Sequence, residues 1–329
     1  QVESVPERER SDGMRALAAR MRFERCLTAA GDEPSLLSEC ETHAGDDPGR
    51  RARLALARIR AGQAGPALAA FQQWRGSQPE DPAVALAALR VYDAAGRDMA
   101  FRVLLDDWVG RSDLAPDTRL AFDRAEADWR LARGGDEQAL QPVIERLEAA
   151  AEQAADPAPP RRLLGHIRMA LSQPGRAAEQ YALIVDRPAA VLTDRIAYAE
   201  SLYQADRPAA ARDQLDRAWS SAGTLDEQLA VAEAWRAAPA DPAPNPYLAT
   251  LQDRPPSDYR VTAAAADQAL AEDRPADALT LLEQAQAQAP PTEQPDLASR
   301  AQAVRDRRQA LLAGGFDLAT VPGVAGISD

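Results

Sequence analysis

The sequence predicts an all-α protein, a solenoid of about six stacked helix pairs with extra terminal helices. Three observations lead there. Matched residues return at an offset of thirty-four: Gly62 and Gly96, Trp74 and Trp108, Gly165 and Ala199, Ala177 and Ala211, Tyr181 and Leu215. Tandem helix–turn–helix units produce a fixed period of that length. Hydrophobic residues make up 46% of the 329 residues while aromatics make up only 5%, so alanine carries much of the apolar share. Alanine is the best helix former, and β-rich stretches are scarce.

Residues 1–10, QVESVPERER, read as a polar N-terminal tail without helical period. Residues 11–46 read as a helix hairpin. Ser11 or Asp12 caps a helix through about Ala30, stopped at Gly31, and a second helix runs from about Pro34 to His43. The repeat array occupies 47–237, with helical pairs at about 49–61 and 65–76, 83–95 and 98–110, 117–133 and 136–155, 160–172 and 175–186, and 190–204 and 208–221, then a weaker helix at 225–237. Residues 238–257 read as a proline-rich break, with APADPAPNPYL at 238–248 as the candidate hinge. Residues 258–313 hold a last pair, 258–271 and 275–288, and an end helix at about 295–312. Residues 314–329 form an apolar tail whose Phe316, Leu318, Val321 and Val324 are candidates for self-assembly.

The punctuation is physical. Pro174, Pro208 and Pro275 fall in the first turn of second helices, where a missing backbone N–H costs nothing. Asp206-Arg207-Pro208-Ala209-Ala210-Ala211 and Asp273-Arg274-Pro275-Ala276-Asp277-Ala278 are nearly the same turn, as duplication would leave them. Trp74 and Trp108, one period apart on second helices, read as packing residues.

Within each unit a small residue sits mid-first-helix, an alanine follows twelve residues later, and a large residue four further on. Leu164-Gly165, Ala177 and Tyr181 fit this order, as do Ala55, Ala67, Phe71 and Pro79. So do Ala127, Ala139 and Val143; Ala199, Ala211 and Leu215; and Ala266, Ala278, Leu282 and Pro290. The unit at 82–112 departs, with Leu89 and Phe101 where small residues belong. The register resembles that of tetratricopeptide repeats. That resemblance implies a right-handed α-α superhelix whose first helices line a concave groove for a peptide or another protein. It puts Arg60, Arg90, Asp93, Arg124, Asp128, Arg162, His166, Met169, Glu200 and Tyr203 at groove positions. Four arginines there fit an acidic or carboxylate-bearing segment. The alternative is that they form ion pairs within the array, with Asp93, Asp128 and their neighbours.

Chemistry-bearing patterns are few. Cys26 and Cys40, the only cysteines, face each other across the predicted hairpin and are either disulfide-bonded or two buried thiols. Cys26, Cys40 and His43 lack a fourth ligand and a zinc spacing, so no metal site is expected. His166 has no sequence-near carboxylate or nucleophile. No nucleotide, hydrolase or metalloprotease motif occurs. The reading is a non-catalytic scaffold or adaptor without cofactor, with a self-assembling structural subunit as the alternative and an enzyme accessory domain as a third.

The net charge of −13 disfavours nucleic acid and anionic membrane surfaces. No run of about eighteen apolar residues is present, so no membrane insertion is expected. All 38 basic residues are arginine, which fits codon bias. The start at Gln1 reads as a removed leader or a trimmed chain. With the possible disulfide, it points to an exported setting, periplasmic or cell-surface, in a bacterial secretion or surface-structure machine; the cytoplasm is the alternative.

Overall fold

A computed structural model describes residues 11–188, 190–236, 245–254 and 258–313. Every regular element among them is helical. The chain divides into two compact units, 1–155 and 156–329.

The first unit opens with α1 (Asp12–Asp32), whose N-cap Ser11 accepts from the Met14 amide. The expected second helix is split into a 3₁₀ turn, Pro34–Ser38, and the short α2 (Cys40–Ala44). Local hydroxyls compete with the helix here: Ser38 Oγ donates to the Ser35 carbonyl at 3.1 Å and Thr42 Oγ1 to that of Glu39 at 2.9 Å. Three hairpins follow: α3 (Pro48–Arg60) with α4 (Ala64–Gly76), α5 (Pro82–Ala94) with α6 (Asp98–Val109), and α7 (Pro116–Ala132) with α8 (Glu137–Gln153). Asp47, Asp81 and Asp136 cap α3, α5 and α8 through their side chains.

The second unit holds α9 (Ala158–Ala170) with α10 (Pro174–Ala182), α11 (Leu192–Gln204) with α12 (Pro208–Ser221), α13 (Leu225–Arg236), and the short α14 (Pro246–Gln252). A last pair, α15 (Tyr259–Ala271) and α16 (Pro275–Gln288), leads to α17 (Gln294–Ala313). In both units a first helix packs on its hairpin partner and on the next first helix: α3 on α5, α5 on α7, α11 on α13, α13 on α15. Neighbour-to-neighbour stacking of this kind is how repeat arrays build a core.

One backbone device closes all six regular hairpins. The residue ending each first helix has positive φ: Gly62, Gly96, Gly134, Ser172, Asp206 and Asp273. Its amide bonds three residues back, and the next amide bonds five residues back, as in Gly62 to Ile59 and Gln63 to Arg58. This Schellman geometry satisfies the orphan carbonyls of the helix end and reverses the chain within three residues. Ser172 adopts φ 57°, where an L-residue with a Cβ is strained. Ser172→Gly is therefore expected to stabilise the second unit by about 0.5–1 kcal/mol, net of glycine's greater freedom when unfolded. Thermal unfolding of the two proteins checks this, and an unchanged or lower midpoint refutes it.

The small–large register has a direct physical role. A Cβ on Gly165 would lie 2.5 Å from Cζ of Tyr181, so only glycine admits that ring between α9 and α10. Trp74 and Trp108 are buried packing residues, and Trp108 stacks on Phe122 with ring centroids 5.2 Å apart. At the departing unit, Phe101 takes a different neighbour and stacks on Trp129 of α7 at 5.1 Å. Within the stretch read as a break, α14 buries Tyr247, Leu248 and Leu251.

Candidate functional site

A groove of about 550 Å³ opens between α5 and α7 in the first unit. Its floor is apolar: Leu86 and Leu89 from α5, Phe101 from α6, and Leu120, Ala125 and Trp129 from α7. The two oversized residues that break the repeat register, Leu89 and Phe101, are part of that floor. Arg90 and Arg124, thirty-four residues apart, stand on the α5 and α7 walls. Both side chains are exposed, and neither forms an ion pair among the described residues.

The acidic side of the groove is partly neutralised. Asp93 lies on the same wall as Arg90, yet its carboxylate accepts from Arg133 Nη2 at 3.0 Å. Arg133 also holds Asp98 at 2.5 Å and lies 4.5 Å above the Trp129 ring. These acids, Asp98 foremost, push the Arg133 guanidinium further toward its charged form. The indole N–H of Trp129 is buried and meets no acceptor among the described residues. The groove thus offers an apolar slot with two uncommitted guanidinium groups on its walls, beside the carboxylates of Asp117 and Asp128.

The other predicted positions are placed elsewhere. Arg60 lines a separate groove of about 590 Å³ between α1 and α3. There Arg53 and Glu24 form a bidentate pair, with Nη2 to Oε2 at 2.6 Å, which holds the Glu24 carboxyl below its ordinary range. Arg162, in the second unit, makes a bidentate bond to buried Asp194, Nε to Oδ1 at 2.5 Å and Nη2 to Oδ2 at 2.8 Å. Asp194 in turn accepts from the Val191 amide at the start of α11. For Arg162 the intra-array alternative therefore describes the contact. Met169 packs against the buried cluster of Ala158, Ala177, Tyr181 and Ile184, and Tyr203 is buried. His166 is exposed, and Glu200 is half-buried with its carboxyl pushed up by burial.

Sequence reasoning missed Trp129, Phe101, Leu86, Leu120 and Arg133 at the groove. The misfit of Leu89 and Phe101 to the register was the available signal. Cys26 and Cys40 are bonded to each other, with Cα atoms 5.6 Å apart, tying α1 to α2. The apolar tail with Phe316, Leu318, Val321 and Val324 lies outside the described residues, as does most of 238–248. Among the described residues no helix is long and apolar enough to cross a membrane.

No protein-family model matches the chain, and no curated protein matches it. Among solved structures, a tetratricopeptide repeat protein from Parabacteroides merdae is similar over 85% of this chain and 98% of its own, at 8% identity and a TM-score of 0.43. The all-α succession of helical hairpins described above is the fold that the thirty-four-residue register implies.

Proposed function

We propose that this chain is a non-catalytic protein-interaction scaffold whose first unit holds an extended, acidic segment of a partner protein in the α5/α7 groove. The observation that carries the reading is the pairing of an apolar floor with two exposed arginines that no internal acid engages. An extended segment would lay an aliphatic or aromatic side chain on Leu89, Leu120 and Trp129. Its neighbouring carboxylate would accept the planar fork of Arg90 or Arg124. Each such charge-assisted bond is worth about 1.5–3 kcal/mol.

A peptide-display library selected on the protein tests this. Enriched sequences are expected to place a carboxylate beside a large apolar residue. The double variant Arg90→Ala/Arg124→Ala should weaken them by about 100-fold or more, since roughly 1.4 kcal/mol corresponds to a factor of ten. Binders without acidic enrichment, or equal binding to the variant, would sink the reading.

For the setting we propose the exported side of a bacterial envelope, in assembly of a secretion or surface-structure machine. The support is the bonded Cys26–Cys40 pair, which persists in oxidising compartments. Protein isolated from its native cell without reductant is expected to show no reactive thiol. Two free thiols per chain would place it in the cytoplasm.

A further inference from the structure

We propose that the α1/α3 groove is a second subsite for the same extended partner, and that the Cys26–Cys40 bond builds it. The proposal rests on the reading of the α5/α7 groove given above.

The α3 and α7 walls of the two grooves are in register, though their charges are not: Arg60 stands at the position of Asp128, and Leu56 at that of Arg124. On the α3 wall stand Arg53, Leu56, Ala57 and Arg60; on the α7 wall stand Ala121, Arg124, Ala125 and Asp128. Position by position these differ by sixty-eight, two full periods. Equivalent flanks of first helices face the same way in a stack, so both grooves open on one face of the first unit. In each, an apolar floor adjoins an arginine without an internal acid. In the α1/α3 groove that floor includes Leu27, Leu37 and Leu56, and the arginine is Arg60. Glu24, the acid on the rim, is already held by Arg53.

The spacing fixes the kind of ligand. Neighbouring helices pack about 8–10 Å apart, so grooves two first helices apart lie about 16–20 Å from each other. An extended chain rises about 3.3 Å per residue and spans that in five or six residues. The occupant is a single extended segment with two apolar anchors about six residues apart, each beside a carboxylate.

The second subsite also differs from the first in how one of its walls is closed. Six of its twelve lining residues, Leu27, Thr28, Ala30, Gly31, Pro34 and Leu37, lie inside the loop that the disulfide closes. The far side of that loop is the 3₁₀ turn and the first residue of α2, held on α3 by buried Leu37 and Cys40 and by the bond of Arg58 Nη2 to the Leu37 carbonyl at 3.3 Å. A dithiol reductant gives two electrons and two protons to the sulfurs, leaving two cysteine thiols and itself oxidised to a disulfide. The covalent tie is then gone, and the Pro34–Leu37 edge of the groove is held by noncovalent contacts alone. The α5/α7 groove contains no residue of this loop.

Two synthetic, fluorescein-labelled Gly/Ser peptides test the proposal, one carrying a single leucine–aspartate pair and one carrying two pairs about six residues apart. With the oxidised full chain, the two-pair peptide is expected to bind at least about tenfold more tightly, as linked sites do. Arg60→Glu, or dithiothreitol with reduction verified by thiol labelling, should bring that ratio close to one while the single-pair peptide still binds. Retained single-pair binding also reports that the protein remains folded. Equal affinities for the two peptides in the oxidised protein, or an unchanged ratio after verified reduction, overturn the second subsite alone. If neither peptide binds, or if single-pair binding survives Arg90→Ala/Arg124→Ala in protein that also carries Arg60→Glu, the α5/α7 reading falls and takes this one with it.

Discussion

Replacing Arg146 by methionine lowers the stability of the first unit by about 3–5 kcal/mol, the range for breaking a buried ion pair from one side. Asp123 and Glu126 lie three residues apart on the face of α7 turned to α8, and both are almost wholly buried. Arg146 of α8 reaches both. Its Nε donates to Asp123 Oδ1 at 2.8 Å and its Nη2 to Glu126. Arg130 takes the other oxygen of Glu126, Nε to Oε1 at 2.9 Å. Without Arg146, two like charges face each other away from water, and each disfavours the charged form of the other. Burial already raises the Asp123 carboxyl above its ordinary value, and Arg146 opposes that rise.

The pH dependence follows from that direction. A carboxyl raised in the folded state favours folding while it is protonated, and that contribution is lost as pH rises through the folded pKa. Removing Arg146 raises it further, so the deficit of Arg146→Met should be larger near pH 8 than near pH 5. Urea unfolding of both proteins at the two pH values measures it. A gap below about 1 kcal/mol, or one that widens on acidification, would mean that the α7/α8 hairpin is not held by this network. Replacing Asp123, Glu126 and Arg146 together by apolar residues of similar volume should recover most of the loss.

Gly165→Ala is the second large effect, a cost of about 1–3 kcal/mol from overpacking. Alanine is favoured over glycine inside a helix by up to about 1 kcal/mol, so propensity alone predicts a gain. Geometry decides the sign: the added methyl would lie 2.5 Å from the Tyr181 ring, whose side chain is enclosed between α9 and α10. The next hairpin supplies the cure. Thirty-four residues on, the same two positions are Ala199 and Leu215, both fully buried. The double variant Gly165→Ala/Tyr181→Leu copies that pair. It should therefore be more stable than the sum of its single changes by about 1 kcal/mol or more. Additivity of the two single effects would show that the ring and the glycine do not depend on each other.

Those pairs also show what a linear reading captures. Small–large spacing, prolines at second-helix starts and glycines at turns act within a few residues of themselves. The helices and their hairpins were therefore legible from the sequence. The short helix α14 was not, because proline density around it reads as loop. Yet its own signal was present: Asn245 caps it, accepting from the Leu248 amide at 3.2 Å, and also donates to the Ala232 carbonyl at 2.7 Å. The groove was half legible. Register put Arg90 and Arg124 on neighbouring first helices, and both line the α5/α7 groove. It treated Arg162 as their equal, because its partner Asp194 stands thirty-two residues away and no local rule links them. The same distance problem hid Arg133, whose bond to Asp93 spans forty residues.

The Schellman turns carry a consequence for how such a chain changes over generations. Each hairpin's stop is written in its own backbone angles and its own amide bonds, with no side chain borrowed from the hairpins on either side. A hairpin is thus a self-punctuated cassette. One can be copied, deleted or transplanted whole, and the turn that ends its first helix will still form where it did before. Only the faces that touch the new neighbours need to be retuned afterwards. The twin segments beginning at Asp206 and Asp273 have the form that such a copying event leaves behind.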